Sequence, residues 1–240
     1  GGNNGIWGDG ELNWVNVGEP GKVESAGNIV VFNDANATVN VKGSQNVKGL
    51  QFRQDGIVIR SLDGADDRLQ LNARQVEFRV MSDNATVEAP LTGAGGLYKT
   101  EQGTLVLKGE NTYTGGTVIQ AGTVRIDQAQ ALGAEDSTLT MAGGTLETRQ
   151  EMALNQAVDL QSVGQFKVGA DSLHLNGQVG GDGSLYKTGA GLLVLGNEAN
   201  AYTGVTAVKE GVLQGTTSSI RGDIGIAAGA SVDLMMKGEK

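Results

Sequence analysis

The sequence predicts an all-β chain wound as a parallel β-helix of about twelve turns, each of roughly 20 residues. Three observations predict it. First, one long stretch occurs twice, as GAGGLYKTEQGTLVLKGENTYTGGTVIQAGTV from Gly93 to Val124 and as GDGSLYKTGAGLLVLGNEANAYTGVTAVKEGVL from Gly181 to Leu213. Second, apolar residues come as short alternations separated by Gly, Asn, Asp, Ser and Thr, which is the grammar of strands and turns. Third, apolar residues recur about every twenty positions. Val41, Ile59, Phe78 and Leu97 are separated by 18, 19 and 19 residues. Leu105, Val124, Leu146, Phe166 and Leu185 follow at 19, 22, 20 and 19, and Leu173, Leu193, Leu213 and Val232 at 20, 20 and 19. A sandwich has no reason to hold one spacing along a whole chain. A coil closing one turn in that length does, because each turn buries its inward residues only against the next.

Composition agrees. Glycine is the outlier at 39 of 240 residues, with only 2 prolines and no three-residue period, which excludes collagen. The patterning is too regular for a disordered chain. A net charge of −9 argues against nucleic acid and against docking on anionic lipid. There is no cysteine, so neither disulfides nor thiolate metal sites hold the fold. No apolar run approaches the roughly 18 residues of a membrane helix. The opening GGNNGIWGDG lacks an initiator Met and the features of a signal peptide, so the chain reads as an excised segment.

Residues 1–28, rich in Gly and Asn with Trp7 and Trp14 seven apart, read as a capping segment over the first end of the stack. From residue 29 to 240 the β-helix follows, holding two long repeats at about 76–124 and 164–213. Val39-Asn40-Val41, Leu50-Gln51-Phe52, Ile57-Val58-Ile59, Leu69-Gln70-Leu71 and Phe78-Arg79-Val80 each predict a short strand with one buried face. Each turn supplies two or three such strands, and twelve turns stacked at ~4.8 Å give a rod on the order of 55 Å. In the repeat, Leu105 and Leu107 point inward while Val106 and Lys108 point out. The 88-residue offset between copies corresponds to about four turns. Gly93, Gly95, Gly96, Gly103, Gly115, Gly116 and Gly122 punctuate the first copy as corners, joined elsewhere by Asp63-Gly64, Gly143-Gly144 and Gly180-Gly181. Pro20 and Pro90 fall outside strand centres.

The run L-x-K-T-x-x-G-x-L-x-L-x-G-x-N-x-Y-x-G-G-T resembles the passenger-associated repeat of bacterial autotransporters. Leu97 to Val124 carry it nearly whole, and Leu185 to Leu213 carry a second copy. The flanks resemble the usual neighbours of that repeat: Trp7, Trp14 and Val31-Phe32 before it, Gln130 to Gly133 with Gly143 to Leu146 after it, and Leu213 to Ile224 towards the C-terminal end. The sequence departs from the pattern at Glu101-Gln102, where Gly-Ala is usual, at Gly204-Val205 in place of Gly-Gly, and at Gly196-Asn197 with the extra Ala199. The resemblance implies a right-handed parallel β-helix, exported through a C-terminal outer-membrane β-barrel and displayed on a Gram-negative cell or released from it. No barrel strands occur here, so the chain reads as a fragment of a longer passenger. A cysteine-free chain suits passage unfolded through a barrel, and stacked turns can template one another outside the cell.

No catalytic, cofactor or metal site emerges. His174 is the only histidine, so any Ser-His-Asp triad must use it. In Ser172-Leu173-His174-Leu175 it alternates with inward leucines and should face water; Asp171 and Ser172 lie near, without a nucleophile motif. Asp63, Asp66 and Asp67 form a small acidic cluster that could hold calcium, but Arg68 follows and a solvated turn is favoured. Gly180-Gly181-Asp182-Gly183 begins like a calcium-binding β-roll, then fails at Ser184-Leu185. Scattered carboxylates and an aromatic content of 4% argue against a polysaccharide-cleaving β-helix. Tyr98, Tyr113, Tyr186 and Tyr202 recur at matching positions, which points to corner packing. Lys99 and Lys187 recur too, which a unique catalytic lysine would not. Asn36-Ala37-Thr38 and Asn84-Ala85-Thr86 match a glycosylation sequon of little weight in a bacterial protein.

The expected function is therefore a non-catalytic surface stalk of adhesin or self-association type. Its partners would be copies on neighbouring cells or host surface molecules, with no cofactor. The alternatives are a spacer carrying an upstream protease or esterase domain, and, least favoured, a polysaccharide-active enzyme.

Overall fold

The computed structural model describes residues 5–8 and 29–235. Among the described residues the chain is all-β, with every strand pairing parallel and a single short 3-10 turn, Ala129–Leu132. Successive strands visit three faces in a fixed order. The first face is an 8-stranded sheet running from Ile29–Phe32 to Val179–Gly180. The second is an 11-stranded sheet running from Gly5–Trp7 to Ile224–Ile226. The third consists of a 3-stranded sheet from Ser44–Val47 to Leu91–Thr92 and a 5-stranded sheet from Met152–Leu154 to Ser231–Leu234.

Among the described residues, eleven strands on the second face make about ten turns, against about twelve expected for the whole chain. Turns are not uniform. Register partners on that face lie 19 residues apart from Leu107 to Ile126 but 28 apart from Ile59 to Val87, because the corners at Leu62–Asp67 and Asn72–Arg74 are enlarged. Trp7 is buried and its strand pairs with Thr38–Val41, so part of the leading segment is a rung of the solenoid. Trp14 and Pro20, and the rest of the expected cap, lie outside the described residues.

The core is one continuous column. Alternation places Leu105 and Leu107 inside with no exposure, as the pattern requires, and leaves Lys108 exposed. Val106 takes the outward row but is buried as well. Its neighbours one rung away on either side, Thr86 and Arg125, flank a short β-branched side chain, and an arginine stem covers apolar surface readily. Leu173, Leu193, Leu213 and Val232 form one ladder as expected. Leu105, Val124, Leu146 and Phe166 form another, but Phe166 then meets Lys187, while Leu185 sits opposite Gly164. The first spacing series mixes faces: Val41 and Ile59 belong to the second, Phe78 and Leu97 to the first. Every inward row has the same apolar chemistry, so a twenty-residue spacing reports the turn and not the face.

The two repeats do not occupy equivalent faces. Gly96–Thr100 of the first copy is a strand of the first face, whereas Ser184–Thr188 of the second belongs to the second face. Likewise Thr104–Leu107 lies on the second face and its counterpart Leu192–Leu195 on the third. The offset of 88 residues is thus four turns and one face, not four turns.

Buried pins and outward rows as the candidate functional surface

Lys99, next to last in the strand Gly96–Thr100, takes an inward position between Phe78 and Ile119 of the adjacent rungs. Its stem extends an apolar ladder and its ammonium turns into the corner. There Nζ donates to the carbonyl oxygens of Thr100 and Glu101 at 2.7 Å each and of Ala121, one turn on, at 3.2 Å. Lys187 repeats the arrangement between Phe166 and Val208, donating to Thr188, Gly189 and Glu210 at 2.9, 2.6 and 3.1 Å. Three donors meet three acceptors, which is how a buried charge is tolerated. Burial pulls both ammonium groups down to about 8, against the smaller opposing pull of Glu101 and Glu210 respectively.

Asn111 bridges three rungs. Its Oδ1 accepts from the Leu91 N–H at 2.8 Å and its Nδ2 donates to the Ala131 carbonyl at 2.6 Å. Asn200 does the same between Val179 N–H and Ser219 C=O, at 2.8 and 2.9 Å. These segments are not strands, so an asparagine amide stands in for the missing ladder. The interruption falls where the first copy crosses the third face, and it separates that face into its two sheets.

Tyr113 and Tyr202 fill the same corners. The Tyr202 hydroxyl donates to Thr206 Oγ1 at 2.7 Å, the threonine hydroxyl donates to the Arg221 carbonyl at 2.6 Å, and the Arg221 N–H donates back to the tyrosine oxygen at 2.9 Å. Tyr113 pairs with Thr117, whose hydroxyl lies 3.3 Å from the Leu132 carbonyl. Burial raises both phenols. Corner packing describes Tyr113 and Tyr202, but Tyr98 and Tyr186 stand on outward rows. Tyr98 donates to Gln120, and Lys209 lies 5.3 Å from the ring centre of Tyr186.

The remaining candidates stay apart. His174 is half-buried on an outward row of the third face, between Ala153 and Val194, with Nε2 3.4 Å from Ser172 Oγ. The acidic cluster differs from a solvated turn. Asp63 and Asp66 are exposed and Asp66 pairs with Arg68 at 3.1 Å, but Asp67 is buried. Its carboxylate accepts from Gly43, Asp63 and Gly64 N–H at 2.6, 3.0 and 2.8 Å. Those bonds, first from Gly64 and then Gly43, hold its pKa below the usual carboxylate value. Its lone pairs are thus engaged by the backbone of the enlarged corner. Asp182 accepts from Thr203 at 3.3 Å. Asn36 sits at φ 56° and Asn84 begins an outward row.

Sequence reasoning placed no role on Lys99, Lys187, Asn111 or Asn200. A signal existed for the lysines: each is two residues beyond an inward leucine, Leu97 or Leu185, and strand alternation places i and i+2 on one side.

The outward rows of the middle turns are largely polar. On the second face Asn84, Thr104, Thr123, Thr145 and Gln165 form one row across five rungs. Beside it Arg125, Glu147 and Lys167 form another, with Glu147 3.5 Å from Lys167. On the third face Asn176 donates to Asn155 at 3.1 Å.

Comparison with known proteins adds two findings. The Passenger-associated-transport-repeat family matches residues 97–126 and 185–214, the two copies described above. The chain is 32% identical over 231 residues, 88% of its length, to the adhesin BmaC autotransporter of Brucella suis biovar 1 (strain 1330). It spans 7% of the length of that relative. No solved structure matches the chain.

Proposed function

We propose, for a chain that is an autotransporter passenger segment carrying two passenger-associated-transport repeats, that it serves as a non-catalytic adhesive stalk at the bacterial surface. Adhesion proceeds through its outward polar rows, to copies on neighbouring cells or to host surface molecules. One observation carries this reading: in the repeats' signature, Lys, Asn and Thr are buried and bonded to backbone, and the second Tyr is buried against that Thr. These signature side chains therefore build the solenoid and are not themselves presented. Contact is left to rows such as Asn84, Thr104, Thr123, Thr145 and Gln165, each contact weak and summed along the stalk. The adhesin relative is consistent with this assignment. The same family supports a whole protein anchored at the outer membrane or released from it, with the segment outside the cell.

The test replaces Thr104, Thr123 and Thr145 together by Lys in the full-length protein on cells, with surface display quantified by antibody. Aggregation or adherence should fall severalfold at equal display. Undiminished aggregation and adherence, with loss only when whole turns are removed, would favour a spacer whose length alone matters. Release of sugar fragments by the purified segment would favour an enzyme.

A further inference from the structure

We infer that the solenoid is segmented: each repeat clamps three consecutive turns, and the two turns between the clamps, residues 135–178, are the section that opens first. The first clamp reaches from the Leu91 N–H, through Asn111, to the Ala131 carbonyl, with Thr117 bonded to the Leu132 carbonyl beside it. The second reaches from the Val179 N–H, through Asn200, to the Ser219 carbonyl, with Thr206 bonded to the Arg221 carbonyl beside it. Each is reinforced by its lysine, which ties one corner to the next turn.

Residues 135–178 carry nothing comparable among the described residues. Their side-chain links between rungs are exposed or part-exposed: Asn155 to Glu135 at 3.5 Å, Asn176 to Asn155 at 3.1 Å, Lys167 to Glu147 at 3.5 Å, Gln165 to Thr188 at 3.3 Å, and, at the edge of the second clamp, Asn197 to the Asn176 carbonyl at 3.1 Å and Gln178 to the Ala199 carbonyl at 2.6 Å. Such links compete with water and contribute little. The core there is also softer. Thr148 points inward between Ile126 and Val168, fully buried, and its hydroxyl has no hydrogen-bond partner. An unpartnered buried hydroxyl costs free energy that a clamp recovers elsewhere. Met141 and Met152 supply flexible side chains to the same column. Nearest-neighbour solenoids open where rung-to-rung coupling is weakest, and a uniform one frays from its ends. Here the weak coupling is internal, so the solenoid should yield between two blocks that stay folded.

Native-state hydrogen exchange of the whole chain, read by mass spectrometry, tests this without any variant. Amides in residues 138–168 should exchange about tenfold or more faster than those in 96–126 and 184–215, although the second of these lies nearer an end. Thr148→Val should slow exchange in the middle section alone. Asn200→Ala should speed exchange from Val179 to Gly215 and leave 96–126 protected. Equal protection throughout, greatest protection in 138–168, or one common rate for all amides would overturn the inference.

Discussion

The first repeat and the second share their pins and differ in the face of the solenoid on which they start and in the residues at two corners. Lys99 and Lys187, Asn111 and Asn200, Tyr113 and Tyr202 make matching bonds, yet the copies start on different faces of the solenoid. The pin set is therefore portable. It needs an inward ladder, a corner and a following turn, and three similar faces supply these anywhere. The differences fall at corners. Glu101 holds φ 64° where the second copy has Gly189 at φ 77°, and Gly116 at φ 79° is replaced by Val205. Glu101 is tolerated because its carboxylate meets Arg79 at 2.9 Å and its carbonyl takes the Lys99 ammonium.

The largest effects should come from cutting a pin shared by both copies. Asn111→Ala leaves a buried N–H and a buried carbonyl unpaired, and Asn200→Ala does the same. Each should lower stability by about 2–5 kcal/mol, read from denaturant midpoints. Unequal losses would break the equivalence of the copies. Leu105→Ala and Leu193→Ala, both fully buried in register ladders, should each cost about 2–5 kcal/mol. A midpoint unmoved by either would remove that leucine from the core.

The corners should separate the copies. At Gly189 an added Cβ would lie 2.1 Å from the Val168 carbonyl oxygen, on top of an unfavourable φ, whereas the Glu101 corner already holds a Cβ. Gly189→Ala should therefore cost about 1–3 kcal/mol. Glu101→Ala should cost at most ~1 kcal/mol, since it loses a half-exposed ion pair and keeps the backbone. Equal costs would mean that the Gly189 corner accepts a Cβ as readily as the Glu101 corner does, so that neither φ nor space separates the copies.

The same residues tell how far the sequence reaches. The turn length was legible because Leu173, Leu193, Leu213 and Val232 are adjacent rungs of one row. Face was not, because Leu185 and Lys187 are both inward and only pairing decides which of them meets Phe166. The pins stayed hidden because Lys and Asn are ordinarily surface residues, and their burial depends on carbonyls some twenty residues away in sequence. The adhesive reading came from family resemblance and from the lack of a convergent set of titratable groups. The outward rows became visible only once register fixed which threonines stand side by side.

A difference in pH dependence tests the lysine pins. Burial pulls Lys99 and Lys187 to about 8 in the folded chain, while an unfolded lysine titrates near 10.5. Between those values the unfolded chain holds more protons than the folded one, so folding is favoured increasingly as pH rises. Below about 8 both states are protonated, and above 10.5 neither is, so the contribution is flat outside the window. Other groups titrate there too; the buried phenols of Tyr113 and Tyr202 act in the opposite sense above 10. The measurement is therefore a difference. The stability of the wild type minus that of the Lys99→Met, Lys187→Met double variant should rise between pH 8 and 10.5. Single variants should divide the rise between the two copies. A flat or falling difference would mean that three carbonyl oxygens hold each proton more firmly than burial expels it, making the lysines permanent buried cations rather than groups that lose charge in mild base.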